Sequence, residues 1–503
     1  MTACKSKFFR YLLNVTLLFM SPYLVLAILI VYFLALIAIS YVTSRGADTQ
    51  TFFTANRQSP WYLVAFGMIG SSLSGVTFIS VPGNVAKIGF GYFQVVIGYI
   101  LGYWIIITVL MPLYYRMNLI SIYTYLEKRF DIWAYRTGSF FFMLSRSVGS
   151  ALRLFLAATV LQLFLFDAWG VPFIVTVATT IVLIWVYTFK GGVKTIVYTD
   201  SFQTLFLVAA VAITVWQIAS RLDLSFTGMI TTIRASEFAR MFYWDDPNST
   251  LFFPKQFFGG AFIALTMTGM DQEIMQKNLT CRTLFDAQKN MFWYSLVLVV
   301  VNLLFLTLGA LLFIYSQQKG IAVPANTDDV FPALALNEFG LLVGVFFLLG
   351  IIASSYASAD SALAGLTTAF CIDFLNFKDK PEAVKKKQKF AVHAGFSVLF
   401  LVIILIFKEI NQRSLIDAVL NVAAYTYGPL LGLFVFGLTT KRQVKGWPVL
   451  AVCVVAPAIC YWLSVQAPVW FGGYRIGLEV LALNGLITFA GLGLVSHRGG
   501  SKA

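Results

Sequence analysis

The chain has 503 residues, of which 59% are hydrophobic and only 12% charged, with a mean hydropathy of +0.81. Soluble domains carry about 25% charged residues, so a water-facing globular enzyme is excluded and the chain reads as an integral membrane protein. The net charge of +14 would point to nucleic acid in a soluble protein; here it reflects the excess of Lys and Arg in cytoplasmic loops.

Long apolar runs broken by charge, Gly or Pro predict about thirteen transmembrane helices. Their limits are 22–43, 61–83, 92–115, 137–165, 170–188, 193–219, 257–279, 286–315, 340–373, 390–407, 415–440, 446–465 and 474–495. The alternating strands of a membrane barrel are absent, so the expected class is an all-α integral membrane fold. Twenty-two Lys and Arg fall in one set of connecting segments and nine in the other. That asymmetry puts the first set, with the run Lys385–Lys389, in the cytoplasm, the N-terminus outside and the C-terminus inside. Lys5, Lys7 and Arg10 disagree with this orientation, and the conflict disappears if Met20 is the start and Met1–Phe19 an upstream extension. The five Cys show no paired extracellular pattern.

Taken in order, the second span carries Gly67, Gly70, Ser71, Ser72, Ser74 and Gly75, then Pro82-Gly83. The fourth holds Arg146 and Arg153, seven residues apart and so nearly on one face. An intramembrane Arg either pairs with an acid or faces a cavity, where it grips a carboxylate. Asp200 in the sixth span is a deep acid that either serves an ion or pairs with a nearby Lys. The seventh span has Gly259-Gly260, then Thr266, Thr268, Gly269, Asp271 and Gln272. Small residues also serve close helix packing, but two polar, Gly-broken spans at an offset of five fit an inverted repeat with broken helices. Unwound backbone frees carbonyls that suit sodium. The ninth span adds Ser354, Ser355, Ser358, Ser361, Thr367 and Thr368 around Asp360, a pattern that fits ion coordination.

Four segments carry a family likeness: Phe78-Ile79-Ser80-Val81-Pro82-Gly83; Gly191–Gln203, similar to GG-x-K-x-x-x-x-T-D-x-x-Q; Asp271-Gln272 with Gln276-Lys277, similar to DQ-x-x-x-QR with Lys for Arg; and Ala357-Ser358-Ala359-Asp360-Ser361 running to Asp373. In these the chain resembles the sodium:solute symporter family, which has the leucine-transporter-type fold. The resemblance implies a five-plus-five inverted-repeat core with one helix before it and two after. The corresponding division is 20–59 for the first helix and loop, 60–219 and 257–440 for the two repeats, 220–256 for an outer loop, and 441–503 for two peripheral helices and a tail.

It also implies ligands. A first sodium is expected on the carbonyls of Gly70, Leu73 and Ser354 and the hydroxyl of Ser358, although Ala357 stands where the family has another hydroxyl. Asp200, Asp360 and Ser361 would hold a second sodium or a proton. Ser74, Thr77, Gln94, Arg146, Asn302 and Asn421 would contact substrate, with Tyr92, Phe93 or Tyr425 as aromatic lids. The expected function is sodium-coupled symport of a carboxylated or neutral sugar by alternating access, with Na+ as coupling ion and no organic cofactor. The protein would be a monomer in the plasma membrane, with no nucleic-acid partner. Rivals are proton coupling, an amino-acid or vitamin substrate, a transporter-like sensor, and a channel. An enzyme is disfavoured because His393 and His497 are far apart and no ligand or nucleophile cluster accompanies them.

Overall fold

Ser21 opens the first helix: its hydroxyl accepts from the Leu24 amide at 3.2 Å, and Pro22 takes the first helical position, where its missing N–H costs nothing. The computed structural model describes residues 21–188, 191–377, 380–410 and 415–497, so the expected extension Met1–Phe19 lies outside the described residues. Among these, every extended regular element is helical. The main helices are α1 (Pro22–Thr43), α2 (Trp61–Ser72), α3 (Gly75–Ile88), α4 (Phe93–Ile105), α5 (Ile132–Leu161), α6 (Phe173–Thr188) and α7 (Val193–Arg221). They continue with α8 (Phe253–Ala264), α9 (Gln272–Asn278), α10 (Leu284–Lys319), α11 (Leu341–Ala369), α12 (Glu382–Ile410), α13 (Leu415–Thr439), α14 (Pro448–Trp470) and α15 (Val480–Val495).

Nine of the described helices are long and apolar enough to cross a membrane, or ten if the pair α2–α3, bent by 62°, is one span. The outward faces of the bundle are greasy: Leu494 on α15 is 87% and Val469 on α14 77% exposed, with Trp104, Trp216 and Trp447 also outward. Such a belt is untenable in water and natural in lipid. Several predicted limits shift. The fourth span begins at Ile132, where the Asp131 side chain accepts from the Trp133 and Ala134 amides at 3.0 Å. The tenth begins at Glu382, so its lysines ride on the helix instead of in a loop. The segment 220–256, expected as an outer loop, contains a helix, Phe226–Ala235, and Val330–Asn337 forms another before α11.

The centre is built by α2, α7 and α11, which pack on one another, with α5 against α11, α4 against α8 and α13 against α15. The α4–α8 contact is close because glycines meet backbone: a Cβ on Gly98 would lie 2.0 Å from the Phe257 carbonyl oxygen, and one on Gly260 2.2 Å from that of Val95.

Candidate functional site

Both polar, Gly-rich spans are interrupted. The last helical bond of α2 runs from the Leu73 amide to the Ile69 carbonyl, and the first of α3 from the Phe78 amide to the Ser74 carbonyl. The carbonyls of Gly70 to Leu73 therefore lie outside the helical ladder. Leu73 (ψ 80°) and Ser74 (ψ 168°) make the turn. Thr204 on α7 holds the break: its hydroxyl accepts from the Gly70 amide at 3.0 Å and donates to the Asp200 carbonyl at 2.7 Å. In the seventh span a π-helical turn, Leu265–Gly269, precedes non-helical Met270 and Asp271.

Asp271 gathers the second break. Its Oδ1 accepts from the Ile274 amide at 3.2 Å and from Arg146 Nη2 at 3.0 Å, and its Oδ2 accepts from the Tyr427 hydroxyl. Arg146 Nε lies 2.7 Å from Glu273 Oε2, so this guanidinium faces two buried carboxylates. Arg153, two turns along α5, differs. Among the described residues no carboxylate lies within 4.0 Å of it; Nη1 donates to the Ser358 hydroxyl at 3.1 Å and Nε has no partner.

One turn deeper, Lys277 Nζ donates to Asp200 Oδ2 at 2.6 Å, and the Ser361 hydroxyl is 3.2 Å from both Asp200 Oδ2 and Asp360 Oδ1. Tyr187 donates to Asp360 Oδ2 at 2.8 Å. A cavity of about 120 Å³ opens over the first break, lined by Ser72, Leu73, Ser74, Thr77 and both arginines, with Tyr92, Tyr99, Tyr103 and Tyr294 on the other wall.

The sodium:solute symporter family model matches residues 52–446. The chain belongs to the sodium:solute symporter family. A sodium/sialic acid symporter of Proteus mirabilis is 24% identical over 86% of this chain and 88% of its own. One of Aliivibrio fischeri is 24% identical over 92% of each. In structure, the symporter superposes on a Na+-coupled sialic acid symporter, solved substrate-bound and outward-open, with a TM-score of 0.79 at 19% identity, over 94% of this chain and 99% of that one. The fold is thus of the leucine-transporter type, and the activity class is secondary transport, not enzymatic catalysis.

Within the symporter, the expected ligands sort unevenly. Ser74, Thr77, Arg146, Asn302 and Tyr92 do border the cavity. Arg146, however, is committed to Asp271 and Glu273 and has no charge to spare for a solute. Gln94 is not among the residues lining the cavity. Its amide donates to the Gly91 and Leu251 carbonyls and accepts from the Tyr243 amide, so it ties α4 to the segment before α8 and is fully buried. Tyr425 meets Tyr461 edge to face, and neither Tyr425 nor Phe93 is among the lining residues. The side chain of Asn421 lies outside those described.

Both expected cation sites also hold a side-chain cation. Lys277 supplies the positive charge beside Asp200 and Ser361, the very place considered for a second sodium. The Arg153 guanidinium sits on Ser358. Three of the cavity's hydroxyls, on Tyr99, Tyr103 and Tyr294, were not expected from the sequence, and the hydroxyls join in pairs: Tyr92 with Tyr99 at 3.1 Å, Tyr103 with Tyr294 at 3.3 Å, and Ser72 with Tyr294 at 2.7 Å. The spacing of Tyr92, Tyr99 and Tyr103, seven and then four residues, was a legible sign that they share a helix face.

Proposed function

We propose that the protein imports a small organic carboxylate, such as an acidic sugar, together with one sodium ion by alternating access. The observation that carries this reading is Arg153: a buried guanidinium on the cavity wall with one neutral hydroxyl for a partner and an unanswered N–H. Burying such a charge unpaired is costly, and an entering carboxylate relieves it with two parallel charge-assisted bonds. The tyrosine, serine and threonine hydroxyls opposite suit a hydroxylated solute. In this conformation about 120 Å³ admits a short acid or the carboxylate end of a larger one. The named relatives are sodium/sialic acid symporters, which agrees with an acidic solute.

Sodium would bind on the Gly70, Leu73 and Ser354 carbonyls and the Ser358 hydroxyl, where the broken α2–α3 backbone meets α11. We assign no second sodium, because the Lys277 ammonium already balances Asp200. The core would comprise two inverted repeats of five spans within thirteen, N-terminus out and C-terminus in, in the plasma membrane. At a typical potential one sodium contributes about 2.3 kcal/mol per 100 mV, plus its gradient. The test is uptake into proteoliposomes under an inward sodium gradient, comparing sialic acid and short hydroxy-acids with uncharged N-acetylhexosamines. Carboxylates are expected to accumulate and the neutral sugars not; equal uptake of both would overturn the carboxylate assignment.

A further inference from the structure

We propose that Arg153 is the coupling element of the symporter: it sits on the sodium-site hydroxyl until substrate carboxylate draws it away. This rests on the reading above, in which Arg153 meets the carboxylate and Ser358 the sodium. Three observations support it. First, Arg153 Nη1 donates to Ser358 Oγ at 3.1 Å, so the guanidinium uses the oxygen that a sodium ion would need and brings its own positive charge there. Second, the position beside Ser358 is Ala357, fully buried and without oxygen, so the adjacent residue offers no second hydroxyl beside the one that Arg153 engages. The Ser354 hydroxyl, one turn earlier, is turned back onto the Ile351 carbonyl at 3.0 Å.

Third, among the described residues no carboxylate lies within ion-pair distance of Arg153. Its neighbour Arg146 contacts Asp271 and Glu273 directly, and Arg153 Nε stays unpartnered. The side chain therefore has two alternative acceptors: Ser358 Oγ, buried behind it, and a solute carboxylate in the cavity that Arg153 itself lines. With the cavity empty, like charge and a used lone pair oppose sodium. When a carboxylate arrives, its charge neutralises the guanidinium and the bond to Ser358 is released. Sodium then finds its hydroxyl free. Linkage makes the effect reciprocal, so sodium also raises substrate affinity, and sodium leak without substrate is suppressed.

The experiment needs no substrate. Binding of 22Na+ to the purified full-length protein is titrated in wild type, Arg153→Gln, Arg153→Lys and the double variant Arg153→Gln/Ser358→Ala. Removing the cation is expected to tighten substrate-free sodium binding by about tenfold, Arg153→Lys to leave it weak, and the double variant to lose the gain. Unchanged or weaker sodium binding in folded Arg153→Gln would overturn the switch. Uptake of sialic acid and short hydroxy-acids by the same variants separates the two claims. If Arg153→Gln still accumulates carboxylates as wild type does, the carboxylate reading fails; if uptake is lost without tighter sodium binding, only the switch fails.

Discussion

At the scale of single residues, two arginines of one helix have opposite fates. Arg146 lies against Asp271 and Glu273, whereas Arg153 has a serine. Their spacing along α5 put both on one face, and the sequence held no more than that; the acids that separate them arrive from a helix 125 residues further on. Replacing Arg153 with Gln is predicted to raise KM for a carboxylated solute by roughly thirtyfold or more, about 2–5 kcal/mol, in proteoliposome kinetics. Lys277 and Asp200 form a buried pair. Removing one partner strands a charge, at about 3–5 kcal/mol. Lys277→Met and Asp200→Asn should each lower thermal stability in detergent, and the double variant should regain most of the loss. Additive losses would mean that the two charges do not depend on each other.

At the scale of elements, the broken spans were legible because Gly and Ser cluster where backbone must leave the helical ladder. Gly70 shows the reason: a Cβ there would lie 2.3 Å from the Thr204 hydroxyl. Helix starts were less legible. Arg136 and Lys385–Lys387 read as loop residues by charge, yet they ride on the ends of α5 and α12, where a helix carries long cationic side chains outward, while Lys389 turns in over the Phe52 ring. The π-helical turns, such as Leu265–Gly269, leave no mark in an apolar pattern. Close packing gives a clean contrast. Gly98→Ala drives a methyl into the Phe257 carbonyl and should cost about 1–3 kcal/mol, while Gly149 on α5 has nothing within 4 Å of its absent Cβ. Gly149→Ala should be neutral or gain up to about 1 kcal/mol from helix propensity. Unfolding temperatures of the two purified variants check both.

For the whole molecule, composition alone announced the membrane, since a chain so poor in charge cannot cover itself with a polar surface. The distribution of the remaining charge predicts an orientation. Single cysteines at the exposed positions Arg234 and Lys386 should react differently with a membrane-impermeant maleimide in intact cells: Arg234→Cys labelled, Lys386→Cys protected. What hydropathy could not reveal was which few buried charges are balanced and which is held ready, because that depends on contacts between distant helices. The most direct test of sodium-driven carboxylate symport is the current across a solid-supported membrane bearing the reconstituted protein when solutes are added. Sodium-dependent inward current with carboxylated solutes, none with their uncharged counterparts and none when potassium replaces sodium, is the predicted result. Equal currents with neutral sugars, or currents that persist without sodium, would contradict it.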